Sequence, residues 1–193
     1  LLRRMVQGRR VGIVVSDAFR AGLQREILNG LLDEVVAGNP LSILVICATG
    51  THNPDVYAKS TGEWVEEARQ RLGVQIDFEP HHSEKSEFVE LGVTSRGTKL
   101  KFNAKLMKCD LRVYGHESKH HYLNGYSSID KQIVPGVSSG ETVAMNHKRA
   151  LSPDSGPGRN PWHSDEKRRS NPFAEDVAEA RRVSEKYLLG FDG

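Results

Sequence analysis

The sequence predicts an α/β fold: an open, mostly parallel, Rossmann-like sheet with helices on both faces. Short, nearly unbroken apolar runs recur at residues 10–16, 41–48 and 111–114, the signature of strands covered on both sides. Between them lie longer segments with apolar residues at helical spacing. Strand and helix in alternation imply parallel pairing through right-handed crossovers.

The first strand is Arg-Val-Gly-Ile-Val-Val-Ser at residues 10–16. A polar turn at residues 17–20 follows, and then Leu23, Ile27, Leu31, Leu32, Val35 and Val36 mark one face of a helix that Gly38 and Asn39 stop. The run 41–48 is the second strand, with a loop at 49–54. A helix is expected near 62–72, capped by Gly73, with a third strand at 74–78. Residues 80–86 are polar and histidine-rich, and His81 and His82 are expected at the surface. A short strand at 100–103, a helical turn at 104–107 and a buried strand at 111–114 complete an α/β core over residues 1–150. Residues 151–172, rich in Pro, Gly, Ser and charge, are expected to form a long surface loop that includes Trp162. The remainder, 173–193, is expected to be a terminal helix, starting at Asn171-Pro172 and leading to a carboxy-terminal domain beyond this chain.

Composition narrows the function. With 193 residues, 37% hydrophobic and 27% charged, the chain has the make-up of a globular domain able to bury a real core. A net charge of +2 gives no case for nucleic acid as a partner; the one basic cluster, Lys167, Arg168 and Arg169, lies in a polar stretch. No apolar run approaches the length of a membrane span and no signal peptide opens the chain, so no membrane contact and a cytoplasmic location are expected. Cys47 and Cys109 have no CxxC spacing and read as reduced core thiols.

Open parallel sheets bind ligands beyond the carboxyl ends of their strands. Three loops, 17–20, 50–54 and 115–121, should therefore meet in one crevice and bring Asp17, Arg20, His52 and His121 together. Each has a plainer reading. Asp17 could cap the first long helix. Arg20 could be a first-turn surface residue, although a cation there opposes the helix dipole and an anionic ligand would account for it better. His52, in Gly-Thr-His-Asn-Pro, is flanked by turn formers and could simply be exposed.

The run from Gly125 to Gly136 carries the strongest local signal. Gly125, Ser127 and Ser128 offer compact backbone and hydroxyl donors of the kind that hold phosphate, and Pro135-Gly136 fixes the turn after them. Lys131 within it could be solvated or could hold an anion. The run is not a Walker loop, and no Gly-x-Gly-x-x-Gly follows the first strand.

Taken together, Ser16-Asp17-Ala18-Phe19-Arg20, Gly50-Thr51-His52-Asn53-Pro54, the stretch from His121 to Lys131 with Pro135-Gly136, and Asn146-His147 resemble the amino-terminal domain of the nickel-dependent lactate racemase family. The order and spacing match across nearly the whole chain. The resemblance implies a racemase or epimerase of 2-hydroxy acids that uses a nickel-pincer nucleotide, the nickel complex of pyridinium-3-thioamide-5-thiocarboxylic acid mononucleotide. By position, Lys131 matches the lysine that holds this cofactor covalently and His147 the histidine that completes the nickel coordination. Gly125, Tyr126, Ser127 and Ser128 match its surrounding loop. His52 and His121 match the acid/base pair, with His120 the alternative to His121. Arg20 and Asp17 match the substrate site. The implied partners are a small 2-hydroxy acid, the proteins that make the cofactor and a carboxy-terminal domain.

The residue types suit that chemistry. Racemising a 2-hydroxy acid requires a hydroxyl proton to be removed and returned, and imidazoles with an ordinary pKa of about 6.5 do both near neutrality. A neutral imidazole is also a good nickel ligand. The chain departs from the pattern in carrying Ile129 and Asp130 where small residues are common, Asn53 where arginine is frequent and Ala21 where proline is frequent, which suggests a different substrate. Two other readings stay open: a non-catalytic nucleotide- or metal-binding α/β module, and a phosphate-ester enzyme, which would need a carboxylate cluster the sequence does not display.

Overall fold

The computed structural model describes residues 1–18, 22–127, 129–160 and 163–188. A short helix α1 (Leu2–Val6) precedes β1 (Arg10–Ser16), followed by α2 (Gln24–Val36) and β2 (Ser42–Ala48). Next come α3 (Pro54–Tyr57), α4 (Lys59–Leu72) and β3 (Asp77–Pro80), then a hairpin of β4 (Phe88–Val93) and β5 (Lys99–Asn103). The turn α5 (Ala104–Met107) leads to β6 (Leu111–Gly115), and the tiny strands β7 (His120–His121) and β8 (Gly125–Tyr126) lead to α6 (Ile129–Ile133), α7 (Gly140–His147) and α8 (Pro172–Leu188).

Four strands form the central sheet in the order β3-β2-β1-β6, and every pairing is parallel. From Val11 to Ser16 every residue of β1 is buried, because the strand alternates between two cores. Val11, Ile13 and Val15 join Leu28, Leu32 and Val35 of α2 and Val65 of α4 on one face. Val14 and Ile46 face the other way, onto Phe102 of β5, Leu106, Ile133, Phe173 and Val177. The apolar run on β1 thus has apolar cover on each side. Gly12 is needed where that second layer comes closest: a Cβ there would stand 2.8 Å from Leu106 Cδ1. Among the described residues no helix is long and apolar enough to cross a membrane.

Several boundaries differ from expectation. The third strand starts at Asp77 instead of Val74, because residues 74–76 fold Ile76 into the core and Arg69 Nε binds its carbonyl at 2.7 Å. Strand β4 was not anticipated; it pairs antiparallel with β5 through a bulge between Glu90 and Gly92 that breaks its alternation. Asp17 does not cap α2, whose N-cap is Leu23 with no side-chain cap bond. The expected Gly125–Gly136 loop contains β8 and α6. Residues 148–160 and 163–171 hold two 3-10 turns and are tied together by Arg159, whose guanidinium binds Asp154 and the carbonyls of Lys167 and Ser170. Trp162 lies outside the described residues.

His81 is the largest correction. Instead of standing at the surface it is fully buried, with Nε2 2.9 Å from the Ser138 carbonyl and its ring edge-on to Phe88. The reason is backbone geometry: His81 N donates to Cys47 O and the Thr49 hydroxyl donates to the His81 carbonyl, so the chain stays paired with the end of β2 one residue past β3.

Candidate active site

The chain runs outward from β1 through β2 to β3 and later returns to set β6 on the other side of β1. That reversal opens a crevice beyond the carboxyl ends of β1 and β6. Gln132 spans it, its amide donating 2.5 Å to Gly115 O and reaching Ser16 Oγ at 3.4 Å. A cavity of about 160 Å³ lies at this point, and its walls include Asp17, His52, His121, Ser127, Lys131 and His147.

Each side chain is brought there by a local device. The loop after β2 is fastened to the loop after α6 by Gly50 N donating to Gly136 O at 3.1 Å. Gly50 has φ +58°, and Gly136 has no room for a Cβ, which would stand 2.1 Å from Gln132 O. Asn53 then caps α3 by accepting from Asp55 N at 3.0 Å, which turns the chain immediately after His52.

His52 Nδ1 lies 2.5 Å from Asp17 Oδ2. A buried carboxylate at Nδ1 accepts the N–H and leaves the lone pair on Nε2. His121 is held in the opposite sense. Its Nδ1 accepts from Leu123 N and Asn124 N, both at 3.1 Å, so the neutral ring carries its proton on Nε2. The ring stacks on Tyr122, at 4.8 Å and 12°. Its neighbour His120 is exposed and packs on Tyr126 instead.

Lys131 sits in α6 at 7% exposure, with Nζ 4.8 Å from the centre of the Phe173 ring. His147, the last residue of α7, donates from Nδ1 to Val143 O at 2.8 Å, leaving Nε2 as the lone-pair nitrogen. Burial, and then the charge of Lys131, hold its pKa below the ordinary histidine value, partly offset by that backbone bond. The imidazole is therefore neutral at physiological pH, the form that ligates a metal.

Of the remaining expected residues, Ser127 enters the cavity with its hydroxyl 3.2 Å from His116 Nε2. Gly125 packs its backbone on Arg159 with φ +75°, and Tyr126 is exposed; neither lines the cavity. Arg20 and Ser128, like Ala21, lie outside the described residues. Ile129 and Asp130 border a separate hollow, where Asp130 pairs with Arg181 of α8 at 2.6 Å. His116, Gln132 and Phe173 were missed. His116 is the first polar residue after the strand at 111–114, which could have flagged it; Phe173 comes from a segment with no sequence signal for the site.

Residues 1–158 match the family model for the lactate racemase N-terminal domain. The chain belongs to that family. It is 29% identical over 153 residues to a lactate racemase of Thermoanaerobacterium thermosaccharolyticum, a match that takes in 76% of this chain and 34% of that protein. The structure of the lactate racemase apoprotein from the same organism superposes with a TM-score of 0.76 at 25% identity, over 95% of this chain and 42% of the other. A crystal structure of a Thermotoga maritima protein shares the fold, with a TM-score of 0.72 at 17% identity over 97% and 47% of the two chains. The chain thus spans about a third of the curated relative's length.

Proposed function

We propose that this domain is the cofactor-binding part of a nickel-dependent 2-hydroxy-acid racemase or epimerase. One observation carries the reading: an amine, a carbonyl-oriented imidazole and two further imidazoles of opposite hydrogen-bonding sense share one cavity at the switch point of the sheet. Lys131 would hold the nickel-pincer nucleotide covalently, and His147 would ligate the nickel through Nε2. Among the described residues no three His, Cys, Asp or Glu side chains are arranged to hold a metal. A metal on His147 would therefore take its other ligands from the cofactor, as a pincer provides.

When bound, the cofactor would supply a reversible acceptor for hydride from the substrate's Cα. The protein's own part is proton handling. His52, with Nδ1–H held by Asp17, takes the hydroxyl proton at Nε2 and returns it, and His121 stands as the N–H partner; for His121 to act as base towards the other enantiomer, its turn would have to release Nδ1 so that the ring proton moves there. Asp17 serves as the group that orients His52, and Arg20 is proposed to grip the substrate carboxylate in a fork. Ser127, which enters the cavity, would receive the cofactor's phosphate.

At about 160 Å³ the cavity is smaller than the roughly 300–1,000 Å³ usual for small-molecule sites, so a nucleotide would project beyond it. A carboxy-terminal domain closing over the projecting part would exclude water from the reaction. Intact mass spectrometry of the full-length protein, made together with the cofactor-forming proteins, tests the reading. A nickel-containing adduct that maps to Lys131 supports it; unmodified protein that still racemises a 2-hydroxy acid overturns it.

A further inference from the structure

We infer that Phe173 is a positioning residue: one buried ring on the first turn of α8 sets Lys131 and His147 against each other. The inference rests on the roles proposed for those two residues and goes beyond them, because α8 lies outside the stretch, residues 1–158, that matches the family model.

Phe173 is completely buried. Its face takes the Lys131 ammonium at 4.8 Å from the ring centre, and His147 meets the same ring at 5.2 Å and 78°, an edge contact. Lys131 belongs to α6 and His147 to α7; the bonded 135–139 turn places the two helices, and Phe173, touching both side chains, gives the amine and the imidazole themselves a shared rigid neighbour. An aromatic ring does this well. It has no internal flexibility, its quadrupole attracts the ammonium, and aromatic edge contacts are directional. A leucine of similar bulk offers neither attraction nor direction.

The ring is itself tightly held. Asn171 caps α8 by accepting from Ala174 N at 3.1 Å, and its amide donates to Leu123 O, in the turn beside His121, at 3.0 Å. Asn146, adjacent to His147, donates to Asp176 Oδ2 at 2.8 Å, and Asp176 also accepts from Thr94 and Thr98. The first turn of α8 is thus bonded to the His121 turn, to α7 and to the β4–β5 hairpin. Val177, one turn further on, is equally buried in the same cluster and serves as a control for packing alone.

The test uses full-length protein, with and without the cofactor-forming proteins. In cofactor-free protein, NMR should find the ε-methylene protons of Lys131 shifted upfield by the ring, a shift that vanishes in Phe173→Leu. In loaded protein, Phe173→Leu should retain at least about tenfold less nickel than wild type, the range seen when a supporting contact of a metal ligand is removed. Phe173→Tyr should retain nickel close to wild type, and Val177→Ala should lose stability without losing nickel. An unshifted Lys131 in wild type, wild-type nickel in Phe173→Leu, no rescue by tyrosine, or an equal loss in Val177→Ala would each overturn the inference. If wild type itself takes up neither adduct nor nickel, the proposed function fails, while the NMR shift still decides whether Phe173 positions Lys131.

Discussion

Nδ1 of His52 stands 2.5 Å from Oδ2 of Asp17, a carboxylate whose side chain is only 3% exposed. A buried carboxylate needs a partner, and this one has the Nδ1 edge of an imidazole that still opens to solvent at 39%. The pair fixes which nitrogen of His52 can take a proton. Asp17→Asn should lower kcat by about 10²-fold or more with little change in KM, and His52→Ala by about 10²–10⁴-fold, the usual contribution of a positioned general base. Steady-state kinetics on loaded enzyme check this, and a KM effect without a kcat effect would assign Asp17 to substrate binding.

His121 has the complementary arrangement, with Nδ1 accepting from its own turn. His121→Ala should block interconversion of the enantiomers and leave loading intact, because attachment and nickel ligation are assigned to Lys131 and His147. The measurement is nickel content and adduct mass beside racemisation rate in one preparation. Full racemisation by the variant would remove His121 from the chemistry and direct attention to His116, which shares the cavity.

Lys131 and His147 should separate cleanly by mass and metal. Lys131→Ala abolishes the covalent adduct, whereas His147→Ala keeps the adduct and loses nickel by at least about tenfold on dialysis. Intact mass and elemental analysis together decide it; adduct retained in Lys131→Ala would mean that another nucleophile holds the cofactor.

The sheet was legible because strands covered on both faces must be apolar at nearly every position, and β1 and β2 are. The convergence of Asp17, His52 and His121 followed from topology alone, since all three succeed strands whose carboxyl ends share one side. What escaped was long-range. Strand β4 carries a glycine and a bulge that blur its period, and it is strand only because β5 pairs with it. Phe173 reaches Lys131 from 42 residues away in sequence, and nothing local marks a phenylalanine as a neighbour of an ammonium. His81 looked exposed because its neighbours are polar; its burial depends on backbone bonds to Cys47 that sequence does not display.

That burial makes stability depend on pH. Desolvation pulls the pKa of His81 from the ordinary 6.5 down to about 4, against the smaller opposing effect of its bond to Ser138 O. Nδ1 has no hydrogen-bond partner among the described residues, so the folded protein keeps this ring neutral. In the unfolded chain the same ring takes a proton below about pH 6.5. The stabilising contribution is therefore complete above pH 6.5 and is lost as pH falls towards 4, at about 1.4 kcal/mol per unit. Between pH 7 and pH 5 the wild type should lose about 2 kcal/mol more than His81→Gln, whose side chain does not titrate. Urea unfolding of both proteins at the two pH values measures the difference. Equal losses would show that His81 is protonated in the folded state or reached by water.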